Sequence, residues 1–186
     1  MKVEDYNKLL ENTICEGNIK INQRELIYKI LSRYTTNYTV FRELIQNSDD
    51  AQSSIIDINI FKDKIIFSNN GFKFRDIDWE RIKTIAYGNT DENTIGCFGV
   101  GFYSVFCLTD EPIIISNNKF IKFIFKNNEL KIKSLEIEKN DKTIFIFQKL
   151  KTQEYENIDD FIIFLKDIIK CTKNIININI LKEDNV

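Results

Sequence analysis

Ile95-Gly96-Cys97-Phe98-Gly99-Val100-Gly101-Phe102-Tyr103-Ser104-Val105-Phe106 places three of the chain's six glycines directly before an apolar run with helical spacing. Glycine opens backbone geometries that side chains forbid, and it lets a ligand come close to the chain. A glycine turn leading into a helix aims unpaired amide N–H groups and the positive end of the helix dipole at one point, which suits phosphate. The stretch therefore predicts a nucleotide-binding domain. The competing reading is that its glycines serve only a turn and close packing.

Composition fits one small domain spanning residues 1–186. Hydrophobic residues make up 43% and aromatics 12%, enough to fill an interior. No apolar run approaches the ~20 residues of a spanning helix, and Met1-Lys2-Val3-Glu4-Asp5-Tyr6 has no apolar signal core. A cytoplasmic location is expected, with a nuclear one left open, and no membrane partner. The net charge of −2 comes without a basic cluster, which argues against nucleic acid. Cys15, Cys97, Cys107 and Cys171 form no metal-like pair and read as reduced thiols. The absence of histidine excludes Ser-His and Cys-His nucleophiles, histidine metal sites and a phospho-accepting histidine in this chain.

Apolar spacing predicts a helix over 22–33, with Leu26, Ile27, Ile30 and Leu31 on its stripe. Thr39 is placed to cap a second helix running to Ala51. Residues 54–61 and 64–67 read as strands, and Asn69-Asn70-Gly71 as a turn. A third helix is expected from Asp76 through Ile82, Ile85 and Ala86, and another over 102–108. Segments 112–116, 119–125, 130–137 and 143–147 read as four strands, 158–170 as a helix and 175–181 as a last strand. Helices and hairpin-like strands mix without strict βαβ alternation. The expected fold is α+β: a two-layer sandwich with a mainly antiparallel, mixed sheet and helices on one face.

On the helix over 42–51, Glu43, Asn47 and Asp50 fall within about a 60° arc bordering Val40, Leu44 and Ala51. Arg42, Gln46 and Asp49 take the outer face. A carboxylate, an amide and a second carboxylate at the edge of a core suit three tasks: activating water, ligating a hard metal through oxygen, and reading a polar ligand. A solvated helix flank is the plainer alternative. The third signal is Ser68-Asn69-Asn70-Gly71-Phe72, which alone is only a favoured turn.

The order and spacing of these three segments carry a resemblance. Arg42-Glu43-Leu44-Ile45-Gln46-Asn47-Ser48-Asp49-Asp50-Ala51, the Asn-Asn-Gly turn and the 95–106 loop resemble the nucleotide-binding boxes of the gyrase, heat-shock chaperone, histidine kinase and mismatch-repair (GHKL) ATPase superfamily, whose fold is the Bergerat type. Thr84-Ile85-Ala86 is similar to the ninety-kilodalton chaperones. Two segments resemble the sacsin-type branch. One is Asn22-Gln23-Arg24-Glu25-Leu26-Ile27 leading to Thr39-Val40-Phe41-Arg42-Glu43-Leu44; the other is Phe102-Tyr103-Ser104-Val105-Phe106 followed by Leu108-Thr109-Asp110-Glu111-Pro112. The resemblance covers about residues 20–150.

The resemblance implies ATP or ADP with Mg²⁺ as ligands, and a role for each matched position. Glu43 matches the glutamate that orients or deprotonates the attacking water. Asn47 matches the Mg²⁺ ligand, and Asp50 an acidic position beside the nucleotide. Asn69 matches the aspartate that accepts from the adenine amino group, and Gly71 the glycine that lets adenine approach. Gly96, Gly99, Val100, Gly101 and Phe102 match the phosphate loop and helix start, and Thr143 a strand threonine near the base. Glu43 and Asn47, four apart, are neighbours on one helix face.

Three departures follow from the same comparison. Asn69 replaces aspartate, so the charge is gone and the NH₂ needs its own acceptor; Lys73 stands where a second glycine is expected. No basic residue lies between Lys83 and Lys119, leaving phosphate charge to Mg²⁺, amides and side chains such as Lys73. The chain ends before a second domain of the kind that supplies a catalytic cation, and 90–94 is a short lid. The expectation is an ATP-binding domain of sacsin or chaperone type with weak or no hydrolysis, serving client or partner proteins. The alternative is a degenerate nucleotide fold acting as an interaction module.

Overall fold

The computed structural model describes residues 21–32, 38–84, 101–151 and 158–183. The chain runs α1 (Gln23–Leu31), α2 (Thr39–Asp50), β1 (Ile55–Ile60), β2 (Lys64–Asn69), α3 (Asp76–Arg81), a 3-10 helix (Gly101–Cys107), β3 (Ile113–Lys126), β4 (Glu129–Gln148), α4 (Ile158–Ile169) and β5 (Asn177–Lys182). Among the described residues five strands form one sheet in the order β3-β4-β2-β1-β5. The β1–β5 pair is parallel and the other pairs are antiparallel. The expected mixed α+β sandwich is the observed architecture.

Alternation sorts the two sheet faces. Ile56, Ile58 and Ile60 of β1 are buried, and register puts Phe67, Phe145 and Ile114 on the same rung as Ile58. This apolar face meets the helices. Ile27 and Leu31 come from α1, Val40, Phe41, Leu44 and Ile45 from α2, and Phe161 and Leu165 from α4. The Phe41 and Phe161 rings cross edge-on at 4.7 Å. The opposite face is polar at its centre. There Asp57 accepts from Lys142 Nζ at 2.6 Å and Asn179 Nδ2 at 2.8 Å, tying three strands together. No helix among the described residues is long and apolar enough to cross a membrane.

Several local expectations change. Asn22 caps α1 by accepting the Glu25 N–H at 3.1 Å, but Leu26 is 38% exposed, off the buried stripe. Tyr38 occupies the N-cap of α2, so Thr39 is the first helical residue and not the cap. The third helix is α3, ending at Arg81; Ile85 and Ala86 lie outside the described residues. The helix expected over 102–108 is a 3-10 helix, Gly101–Cys107, in place of an α-helix. The four short strands expected over 112–147 are two long ones. Asn117, at φ 56°, absorbs the irregularity between Ile115 and Lys119, because asparagine tolerates a left-handed residue without ending the ladder.

Asp49 is the largest correction. Placed on the outer face by helical spacing, it is buried. Its carboxylate accepts the N–H groups of Lys173 at 2.9 Å, Asn174 at 2.6 Å and Ile175 at 3.3 Å. Asn174 Nδ2 also donates to the Asp49 carbonyl at 2.9 Å. The turn between α4 and β5 crosses this side of α2, and nothing local to α2 announces it. Burial pushes the Asp49 carboxyl upward, but the three backbone donors outweigh it and hold the group below the ordinary carboxylate range.

Asp49→Ala leaves three buried N–H groups without their acceptor and should cost about 2 kcal/mol in urea unfolding at neutral pH. Because the folded carboxyl is the stronger acid, its contribution is present above the unfolded value and is lost as pH falls through the folded one. The parent should therefore lose stability toward low pH more steeply than Asp49→Asn. Parallel pH profiles would show that the carboxylate does not carry this contact.

Candidate functional site

A cleft of about 580 Å³ opens between α2, the start of the 3-10 helix, and the segment from the end of β2 through α3. Its wall includes Glu43, Asn47, Asp50, Asn69, Gly101, Phe102 and Thr143. Four separate stretches of sequence thus converge on one space. Gly71 is buried but is not part of the wall, and Gly96, Gly99 and Val100 lie outside the described residues.

At one end stands α2. Glu43 is half-buried, and that burial raises its carboxyl above the ordinary value, with Arg42 pulling the other way. Asn47, one turn on, is exposed to the cleft. Asp50 is also raised, by desolvation and then by the charge of Asp49, with Lys173 opposing. Gly101 lies against this group: a Cβ there would overlap Glu43 Oε2. Missing a side chain at Gly101 is thus what lets the Glu43 carboxylate sit at the 3-10 helix entrance.

The other end is built from strand residues. Asn69 and Thr143 are direct partners across β2 and β4, 4% and 1% exposed. Asn69 Oδ1 accepts the Gly71 N–H at 3.0 Å. The hydroxyls of Thr143 and Ser116 are 2.7 Å apart, and Ser116 Oγ accepts the Phe74 N–H at 3.0 Å. Gly71 meets a different demand from ligand approach: a Cβ on it would stand 2.6 Å from the backbone oxygen of Ala51, at the end of α2.

Sequence reasoning missed Arg75, Asp78 and Arg81, all in the cleft wall. Their i, i+3 spacing was the available signal, since it stacks them on one side of α3. Asp78 takes Arg75 Nε at 2.9 Å and Nη2 at 3.1 Å, and Arg81 Nη1 approaches to 3.8 Å. Arg81 Nε is sealed with no partner among the described residues. Lys73, expected as a source of charge, is in the wall but donates to the Gly71 carbonyl at 2.8 Å. Among the described residues no cluster of three or more acidic, cysteine or histidine side chains is placed to hold a metal. The Asn47 side-chain oxygen is one donor of the kind that a hard cation accepts.

A profile of the Sacsin domain matches residues 56–174. Sacsin of Homo sapiens is 32% identical over 150 residues, covering 66% of this chain and 3% of sacsin. The chaperone protein HtpG of Clostridium botulinum (strain Loch Maree / Type A3) is 29% identical over 187 residues, covering 80% of this chain and 30% of HtpG. HtpG of Fusobacterium nucleatum is 29% identical over 216 residues, covering 92% of this chain and 34% of that protein. The chain therefore spans about a third or less of the length of these relatives.

The two glycines differ in what a methyl group would strike. Gly71→Ala collides with backbone and should cost about 2 kcal/mol, or about 6 °C in Tm. Gly101→Ala meets only the tip of a flexible side chain, so the fold should hold and Glu43 should move. Thermal unfolding without ligand checks both, and an equal loss in the two variants would contradict the distinction.

Proposed function

The chain belongs to the Sacsin domain family, and on that premise we propose that its cleft binds a nucleoside triphosphate with Mg²⁺, as the nucleotide-binding unit of a chaperone-type protein. ATP, or ADP after hydrolysis, is the ligand that the GHKL resemblance implies. The observation that carries this reading is the convergence of Glu43, Asn47, Asn69, Gly101, Phe102 and Thr143 on one cleft. The HtpG relatives are named chaperones, which supports client proteins as partners.

In this reading the sealed Asn69–Thr143 end receives the base and the α2 end receives the phosphates. Asn47 would hold Mg²⁺ through its side-chain oxygen, and the metal would offset phosphate charge. Glu43, one turn away and raised by burial, is the general base toward water. Backbone amides where the 3-10 helix begins, next to Gly101 and Phe102, face the phosphates, with Gly96, Gly99 and Val100 assigned to the same loop by the resemblance. Asp50 borders the nucleotide.

Turnover is slow in this account. Arg75 and Arg81 are engaged by Asp78, and Lys73 by the Gly71 carbonyl. Arg75 and Lys73 are thus drawn away from a phosphoryl group in transfer, whose stabilisation by a cation is otherwise a large contribution.

Asn47→Ala should abolish the Mg²⁺-dependent part of binding while the fold persists. Glu43→Gln keeps the shape, should retain nucleotide and should lose phosphate release under single-turnover conditions. In the parent the residual rate should rise with pH through the raised Glu43 value, because only the ionised carboxylate accepts a proton. Undiminished hydrolysis in Glu43→Gln would remove Glu43 from that role. Failure of any nucleotide to bind the parent would favour an interaction module on a nucleotide-type fold.

A further inference from the structure

Of the cations lining the cleft, Lys73 and Arg75 donate to fixed acceptors, and Arg81 makes no hydrogen bond among the described residues. Arg75 takes the carboxylate of Asp78 first: its backbone N–H and Nε donate to Oδ2 at 2.9 Å, and Nη2 donates to Oδ1 at 3.1 Å. Arg81 comes second, with Nη1 3.8 Å from Oδ1, beyond hydrogen-bond distance. Arg81 Nε is sealed from solvent and without a partner among the described residues. Two guanidinium groups thus share one carboxylate, and the surplus positive charge rests on Arg81. A sealed N–H without an acceptor costs free energy, and a small turn of the guanidinium toward an anion recovers it.

The place of Arg81 says which anion. It is the last residue of α3, and Ile82 after it accepts the Tyr103 hydroxyl at 3.0 Å. That bond sets the end of α3 against the 3-10 helix, two residues past Gly101. The facing wall, α2, carries Glu43 and Asp50 on either side of Asn47. The cleft is therefore polarised, with carboxylates on α2 and an uncommitted guanidinium on α3. No basic residue lies between Lys83 and Lys119, so the 3-10 helix brings no cation of its own.

We infer that Arg81 anchors the phosphates of the bound nucleotide from the α3 side of the cleft. The inference rests on the nucleotide reading above. The guanidinium gives up its long approach to Asp78 and aims its fork at two phosphate oxygens, a geometry that suits arginine and not lysine. Asp78 stays behind, held by its bonds to Arg75. The phosphates then lie between Arg81 and a cation at Asn47, which offsets their charge from both sides. The contact is made with ADP as well as ATP, so it tightens binding without singling out the group in transfer.

Calorimetric titration of the full chain with Mg·ADP and with adenosine tests this in the parent, Arg81→Met and Arg81→Lys. Circular dichroism establishes that both variants are folded. Methionine keeps the apolar stem and removes the charge, so the affinity for Mg·ADP should fall about tenfold or more. Lysine restores a charge without the fork and should recover part of that loss. Adenosine, which has no phosphate, should bind the parent and Arg81→Met alike. Equal affinity of the parent and Arg81→Met for Mg·ADP removes Arg81 from the phosphates and leaves the nucleotide site standing. Equal losses in the Met and Lys variants, or a loss of the same factor for adenosine, overturn the phosphate contact in favour of a structural role. Failure of Mg·ADP to bind the parent overturns the nucleotide reading and this inference with it.

Discussion

The Asn69-Asn70-Gly71 turn is locked onto the end of α2, and the geometry of the cleft depends on that lock. The Phe72 N–H donates to the Ala51 carbonyl at 2.7 Å. Gly71 packs where any Cβ would strike the same carbonyl. Asn70 Oδ1 accepts from Ser53 Oγ, the Ser54 N–H and the Ile55 N–H, at 2.8 to 3.0 Å. Helix end, strand end and turn are therefore one rigid unit. It fixes Asn47 and Asp50 on one side of the cleft against Asn69 on the other, which is the spacing a bound ligand would have to span. Position 71 demands glycine for protein packing at least as much as for any ligand.

The cleft's polar groups divide into those satisfied within the chain and those left open. Arg75, Asp78 and Lys73 already have partners. Ser116, Thr143 and the oxygen of Asn69 form a sealed set of contacts. Among the described residues, Asn47, the Asn69 amide nitrogen and the Glu43 carboxylate make no hydrogen bond, and two of the three are on α2. Open polar groups in a concave site are where recognition is exercised. Under the proposed function this balance suits binding more than rapid chemistry, because the open groups are placed to read a ligand while Arg75 and Lys73 already have partners.

Local pattern made much of this legible. Alternation in β1 and the spacing of Glu43 and Asn47 follow from periods that any fold must respect, and both hold in the structure. The α+β class followed from the mixed element order. What sequence could not show is contact made from a distance. Asp49 sits on the outer arc of its helix by periodicity, yet it is buried because the turn after α4 folds over it, more than a hundred residues later. Leu26 fits an apolar stripe that its helix does not bury. The expected strands 112–116 and 119–125 are continuous because asparagine at position 117 bends the chain without breaking its pairing. Arg75 and Arg81 join the cleft through the path of α3, and no motif pointed to them.

The central claim is that one cleft holds a magnesium nucleotide with its base at Asn69 and its phosphates beside α2. Amide chemical-shift mapping of the isotopically labelled chain tests it most directly, with the magnesium complex of ATP added to saturation. The account predicts shifts concentrated at Glu43, Asn47, Asn69, Gly71, Gly101, Phe102 and Thr143, with the Asp57–Lys142 face of the sheet unchanged. Saturable shifts on that opposite face, or no shifts at millimolar nucleotide, would contradict it.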